Sequence, residues 1–215
     1  MIYCDIHTHR PPANPDDLAV VAADIRQPGL PETGYYAIGI HPRQADRTLL
    51  PLLRASAGLS RVAAIGETGL DKLAPTPWPL QEEVFAAQVR LAGEIRKPII
   101  IHCVRAWQEL MAVRKAVRYD IPWIIHGFRG NGTLAAQLLR AGFFLSFGAR
   151  YHPEAVCRAW EARRLLAETD DRPLDIREVY TSLAATLALP EERLAQEILA
   201  NVRKAIPSIL RPDGR

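Results

Sequence analysis

The feature that most constrains this chain is a series of short, apolar segments, several of them closed by a histidine or a carboxylate. They are Ile2–His7, Leu18–Ile25, Tyr35–His41, Val62–Glu67, Pro98–His102, Trp123–His126, Phe143–Phe147 and Leu165–Asp170. A strand with one wet face alternates polar and apolar residues, whereas continuous apolarity fits a strand buried on both faces, as in a parallel sheet. Parallel strands need crossovers long enough for a helix, and helical periodicity appears between several of the runs. Leu80, Val84, Val89, Leu91 and Ile95 fall on one face, with Gln81, Glu82, Glu83 and Arg90 off it. Ala106 to Val117 and Leu134 to Ala141 follow the same pattern, and Pro190 to Ala205 predicts a C-terminal helix with Pro190 near its start.

Eight strands alternating with helices predict an α/β fold, a (β/α)8 TIM barrel, with residues 1–215 forming one domain. Such barrels ordinarily take ~250 residues, so this one is compact. The shortage is early. Arg10 to Asp17 and Gln27 to Gly34 are the only gaps between the first three strands, and after their Pro and Gly residues are discounted neither holds a full helix. The outer ring is therefore expected to lack one or two early helices, leaving barrel wall exposed or covered by a partner subunit.

Composition narrows the function classes. Hydrophobic residues make up 48% and charged residues 24%, as in a globular protein with a real core. No apolar run approaches the ~20 residues of a membrane helix. The opening MIYCDIHTHRPP has no basic region followed by an apolar one, so the expectation is a cytoplasmic protein without a membrane partner. Cys4, Cys103 and Cys157 are too few and too scattered for a disulfide framework. Net charge is +3, and all but four of the 27 cations are arginine, whose fork suits phosphate and carboxylate oxygens.

In a barrel the C-terminal strand ends converge on one rim, where active sites form. His7 and His9 follow the first run, Glu67 ends the fourth, His102 the fifth, His126 the sixth and Asp170 the last. Four imidazoles and two carboxylates are a ligand set for divalent metals. In His7-Thr-His9 the two-residue strand period turns both rings to one side. Glu67 has two oxygens with which to bridge two metals, and Asp170 is placed to bind one metal and to take a proton from water. His41, in Gly39-Ile-His-Pro42, also ends a run and reads as a ligand, a substrate contact or a group behind the ligands, with the last two favoured over a purely structural role. Arg105 is positioned to reach an anionic substrate or to serve a surface ion pair. Gly127-Phe-Arg-Gly130 either brings backbone N–H groups to an oxyanion or makes a turn.

Taken together, these motifs resemble the TatD family, the deoxyribonuclease-like branch of the amidohydrolase barrels. Asp5-Ile-His-Thr-His9 resembles the family's opening and Gly39-Ile-His-Pro42 its GxHP segment. Ile65-Gly-Glu-Thr-Gly-Leu-Asp71 resembles GEIGLD, Pro98-Ile-Ile-Ile-His-Cys-Val-Arg105 the strand of its fourth ligand, and His126-Gly-Phe-Arg-Gly130 HCFSG. Phe143 to Gly148 and Leu165 to Asp170 are similar to the last two strands. The resemblance implies two divalent ions (Zn, Mg or Mn), one held by His7, His9, Glu67 and Asp170 and the other by Glu67, His102 and His126. It implies a metal-dependent hydrolase acting on DNA or another phosphodiester, often as a 3′ to 5′ exonuclease, with Asp170 and Glu67 catalytic. Arg105, His41 and Arg129 are the expected substrate contacts. An amide or ester hydrolase of the amidohydrolase type, or a non-catalytic metal- or nucleic-acid-binding protein, would share the ligand set. The chain departs from the family in its shortness between His9 and Tyr35, in Lys72-Leu-Ala-Pro75 after Asp71, and in Gly127 and Arg129 beside Phe128, all near the substrate mouth.

Overall fold

The computed structural model describes residues 1–27 and 29–210; Pro28 and residues 211–215 of the expected domain lie outside it. Eight strands form one parallel sheet in chain order. They are β1 (Cys4–Thr8), β2 (Leu18–Asp24), β3 (Tyr35–Gly39), β4 (Val62–Asp71), β5 (Ile99–Val104), β6 (Trp123–Ile125), β7 (Phe143–Phe147) and β8 (Leu165–Ala167). The ends of the sheet meet just past β8. Thr8 bridges Asp170, the Asp170 N–H donates to the His7 carbonyl (3.0 Å), and the His9 N–H donates to the Asp170 carbonyl (3.2 Å). The chain is a (β/α)8 barrel, as expected, and its seam is closed by backbone belonging to the candidate site itself.

Seven helices follow: α1 (Leu50–Ala57), α2 (Trp78–Glu94), α3 (Trp107–Ala116), α4 (Gly132–Arg140), α5 (Pro153–Glu161), α6 (Ile176–Leu187) and α7 (Glu191–Ala205). No α-helix separates β1 from β2 or β2 from β3 among the described residues, so both early crossovers are bare. The consequence shows in β2, where Leu18, Val21, Ala22 and Ala23 are only half-buried, while β6, β7 and β8 are buried throughout. Four helices fall on the periodic segments. The other three, α1, α5 and α6, were not expected from periodicity. The start of α6 nonetheless carries a local signal, since Asp175 and Glu178 close a capping box.

Strand ends differ from the apolar runs in instructive ways. β4 continues four residues past Glu67 to Asp71, and β5 continues past His102 to Val104, so these two ligand candidates lie inside strands rather than at their ends. Backbone pairing carries the strands past the apolar runs, with Gly69 opposite His102 and Asp71 opposite Val104, and Thr68 to Asp71 stay buried. Asp170 lies three residues beyond the end of β8, with a left-handed backbone (φ 57°). The core inside and around the barrel is aromatic towards the foot of β6 and β7, where Trp123 packs edge-on against Phe85 and Phe143. Among the described residues no helix is long and apolar enough to cross a membrane.

One close approach fixes the register between β4 and β5. Gly69 has φ +141°, and a Cβ there would lie 2.0 Å from the His102 carbonyl oxygen. Only glycine fits a positive φ against a neighbouring backbone at that distance. We predict that Gly69→Ala destabilises the protein by about 3 kcal/mol or more, lowering the melting temperature by ~6–12 °C. A wild-type thermal unfolding curve would show that β4 and β5 do not need this contact.

Candidate metal centre

Glu67 projects into the upper barrel and five of the chain's six histidines gather around its carboxylate. From Oε1 the distances are 2.6 Å to His126 Nε2, 3.6 Å to His7 Nε2, 3.8 Å to His102 Nδ1 and 3.9 Å to His41 Nε2; from Oε2, 3.8 Å to His9 Nε2. Asp170 Oδ1 lies 3.7 Å from His7 Nε2 and 3.6 Å from His9 Nε2. All six residues expected as ligands are therefore brought together. His41 joins them, and His152 at the N-terminus of α5 stays apart.

Groups behind these rings decide which nitrogen faces inward. His102 Nε2 is 3.4 Å from Asp71 Oδ2, which leaves Nδ1 pointing at Glu67. Asp71 is itself held, accepting from the Leu73 N–H at 2.7 Å and from Arg43 Nη1 at 3.4 Å. His126 Nδ1 lies 3.5 Å from Glu168 Oε1, leaving Nε2 inward. Carboxylates behind ligating imidazoles fix tautomer and ring orientation in metal sites. His41 is wired the other way. Its Nδ1 accepts the Arg43 N–H (3.1 Å), so the neutral ring carries its proton on Nε2, facing Glu67. That ring is set to donate rather than to ligate. Behind β1, Asp5 accepts from the N–H groups of His7 and Thr169 and from the Thr169 hydroxyl at 2.6 Å, tying the His7 segment to the Asp170 segment.

The charges respond to this crowding. Burial, with the neighbouring His126 charge, pushes His7 down to about 4, and burial likewise takes His41 to about 4. Both rings are neutral near pH 7, the form that bears a lone pair. Burial alone would raise Glu67, but the facing imidazoles, His126 foremost, hold it below the usual carboxylate range. Burial would lower His126, and Glu67 and Glu168 outweigh it and hold the ring well above its ordinary value. Asp170 is raised by burial and by the negative charges of Glu168 and Glu67.

This geometry fits a divalent cation. Both nitrogens of buried His7 and both of His126 lack a properly aligned hydrogen-bond partner, a costly arrangement unless something else satisfies them. Donors sharing a tetrahedral ion at ~2.1 Å stand ~3.4 Å apart, near the 3.6 to 3.8 Å spacings around Glu67 and Asp170. Groups whose donor atoms lie close enough to share one ion are His7 with His9 and Asp170, His7 with Glu67 and His126, and His126 with Glu168 and Asp170; His41 stands as close to Glu67 and His102, but the nitrogen it turns to them carries the proton.

The centre opens into a cleft of about 700 Å³ whose walls include Arg43, Arg105, Trp107 and Arg129. The three expected substrate contacts, Arg105, His41 and Arg129, all line it. The Gly127 turn does not offer its N–H to a ligand, because that N–H donates to Glu168 Oε1 at 2.6 Å. Of its two readings, the turn is the one the structure supports, with φ +56° at Gly127. Glu168 and Asp71 are the residues sequence reasoning left without a role. Glu168 follows directly on the apolar run of β8, where an acid at the barrel mouth is a signal of its own.

Comparisons with known proteins agree on kinship. A family model described as TatD related DNase matches residues 13–207, which leaves His7 and His9 just outside the matched span. The uncharacterized metal-dependent hydrolase YabD of Bacillus subtilis is 35% identical over 147 residues, 63% of this chain and 58% of that protein. The 3'-5' ssDNA/RNA exonuclease TatD of Edwardsiella piscicida is 31% identical over 156 residues, 65% of this chain and 58% of that protein. The chain thus spans less than two thirds of the length of these relatives. Among solved structures, YJJV, a TatD homolog from Escherichia coli K12, superposes with a TM-score of 0.81 over 95% of this chain and 98% of that one, at 22% identity.

If Asp71 holds His102 in its ligating tautomer, Asp71→Asn should weaken divalent-metal affinity by about 10- to 100-fold with little change in the melting curve. Competition against a chromogenic chelator measures this; an unchanged affinity would mean that His102 needs no support from behind.

Proposed function

Because the chain belongs to the TatD-related DNase family, we propose that it is a metal-dependent phosphodiesterase acting on nucleic acid, removing nucleotides from a 3′ end. The observation that carries this reading is the single carboxylate of Glu67 set among five imidazoles beneath an arginine-lined cleft. The residues suit two divalent ions, with zinc, magnesium and manganese as the candidates. His7, His9, Glu67 and Asp170 would hold one; Glu67, His102 and His126 would hold the other. Bound there, divalent ions supply Lewis acidity, lowering the pKa of water and offsetting charge on phosphoryl oxygens.

The chain's own residues do the rest. Asp170 is the base: burial and its acidic neighbours raise its carboxyl above the ordinary value, which makes its anion a better proton acceptor for the attacking water. His41, with its proton on Nε2, donates to an oxygen at the reacting centre. Arg105 and Arg129, both exposed on the cleft wall, bind the phosphates flanking the scissile bond. Glu67 and His102 lie within β4 and β5, whose pairing shifts register between Ile65 and Thr68, at Glu67, and resumes from Thr68 to Asp71.

Three variants test the assignment on single-stranded DNA with Mg²⁺, Mn²⁺ or Zn²⁺. His126→Ala should lower kcat/KM at least about 100-fold, or about 2.7 kcal/mol, with metal lost. Asp170→Asn should lower kcat by ~10²–10⁴-fold. His41→Ala should slow turnover while metal content stays at the wild-type level. A phosphodiester, phosphomonoester and amide panel checks the substrate class. Metal-dependent cleavage that survives His126→Ala, or turnover confined to the amide, would overturn the proposal.

A further inference from the structure

The far end of the barrel holds a second concentration of charge. A cavity of about 610 Å³ lies at the N-terminal rim, among the residues that lead into β6, β7 and β8. It is lined by Arg114, Arg163, Arg164 and Lys204, with Asp120 as its one carboxylate. Roughly a strand length, about 15 Å, separates it from the metal centre. It shares no residue with the cleft there.

Two of its cations are built in rather than left to wave in water. The Arg114 guanidinium lies over the Trp123 ring, 5.3 Å from its centroid, and the Arg164 guanidinium lies over Phe144 at 4.9 Å. Arg164 also donates to the Gly142 carbonyl at 2.9 Å. The Arg114 Nε is buried and has no hydrogen-bond partner. Among the described residues none of the four cations forms an ion pair, although elsewhere the chain pairs its arginines closely, Arg177 with Asp17 and Arg54 with Glu94 both at 2.8 Å. Helix C-termini favour cations singly, which accounts for Arg114 at the end of α3 and Lys204 at the end of α7. It does not require four of them to open into one cavity with a buried donor unmet.

The geometry points to a binding site for the phosphate group of a small molecule at the N-terminal rim, distinct from the metal centre. Two aromatic-backed guanidiniums offer fixed forks, the arrangement that suits phosphate oxygens. The faces of Phe144 and Trp123 are already covered by the arginines, so no ring is left for a nucleobase to stack on. The phosphate, and not a base, is what this site reads. Arg163 and Lys204 are exposed and supply charge at the mouth.

The test uses the full-length, metal-loaded protein with inorganic phosphate and with glycerol phosphate as probes, followed by melting temperature and by calorimetry. Phosphate should raise the melting temperature saturably. The exposed double variant Arg163→Gln/Lys204→Gln, which leaves both stacked guanidiniums in place and should fold and turn over normally, should bind each probe at least tenfold more weakly. His126→Ala, which disturbs only the metal centre, should keep this binding. Wild-type affinity in the double variant would overturn the proposal, as would loss of all phosphate binding in His126→Ala. A ten-nucleotide single strand provides the third arm. If the double variant loses affinity for the strand as severely as for phosphate, the cavity is part of a nucleic-acid surface and the small-ligand reading is wrong.

Discussion

The structure turns on one carboxylate in the mouth of the barrel. Glu67 sits at the centre of the upper barrel, largely out of water, and an ionised acid in such a place is prohibitively costly without positive charge beside it. Five imidazoles surround it, and four of them stand 3.6 to 3.9 Å from its oxygens, too far to hydrogen bond; of these, His7, His9 and His102 are close enough to share an ion with it. The fifth, His126, is drawn to 2.6 Å and holds its proton tightly. A proton on His126 is the least that the site needs for compensation; divalent cations would compensate it fully and satisfy the unpartnered nitrogens of His7 as well.

Everything around Glu67 serves to keep those rings from relaxing. His102 is held from behind by Asp71, Glu168 stands 3.5 Å behind His126, and the seam between His7 and Asp170 is tied by Asp5 and Thr169. None of these groups reaches the cleft well enough to touch a substrate, yet each sets the direction of one that does. His41 belongs to a different class because its backbone partner fixes the opposite tautomer. Proximity to Glu67 alone would have made it a ligand; the hydrogen bond to Nδ1 makes it a donor.

Much of this was legible in the sequence because buried parallel strands leave no polar alternation to obscure them, and because histidine is rare in this chain. His7, His9, His102, His126, Glu67 and Asp170 each stood out at the end of an apolar run. The missing early helices were legible from the Pro and Gly content of two short gaps. What was not legible has physical causes. The reach of β4 to Asp71 depends on pairing with β5, which a local run cannot report. Asp71 and Glu168 look like ordinary strand-end acids until the rings they support are placed beside them. The short α1 begins with proline in the first turn and buries only Leu53 and Ala57, too few to give a clear period. The Gly127 amide is consumed by Glu168, a partner 41 residues away.

The most direct test of the central claim is the anomalous scattering of crystals soaked with Mn²⁺ or Zn²⁺, together with metal content measured in the same preparation. Two peaks are expected beside Glu67, one within coordinating distance of His7, His9 and Asp170 and the other of His102 and His126, with two ions per chain. A Glu67 carboxylate that touches no ion, with His126 still pressed against it in saturating metal, would contradict it.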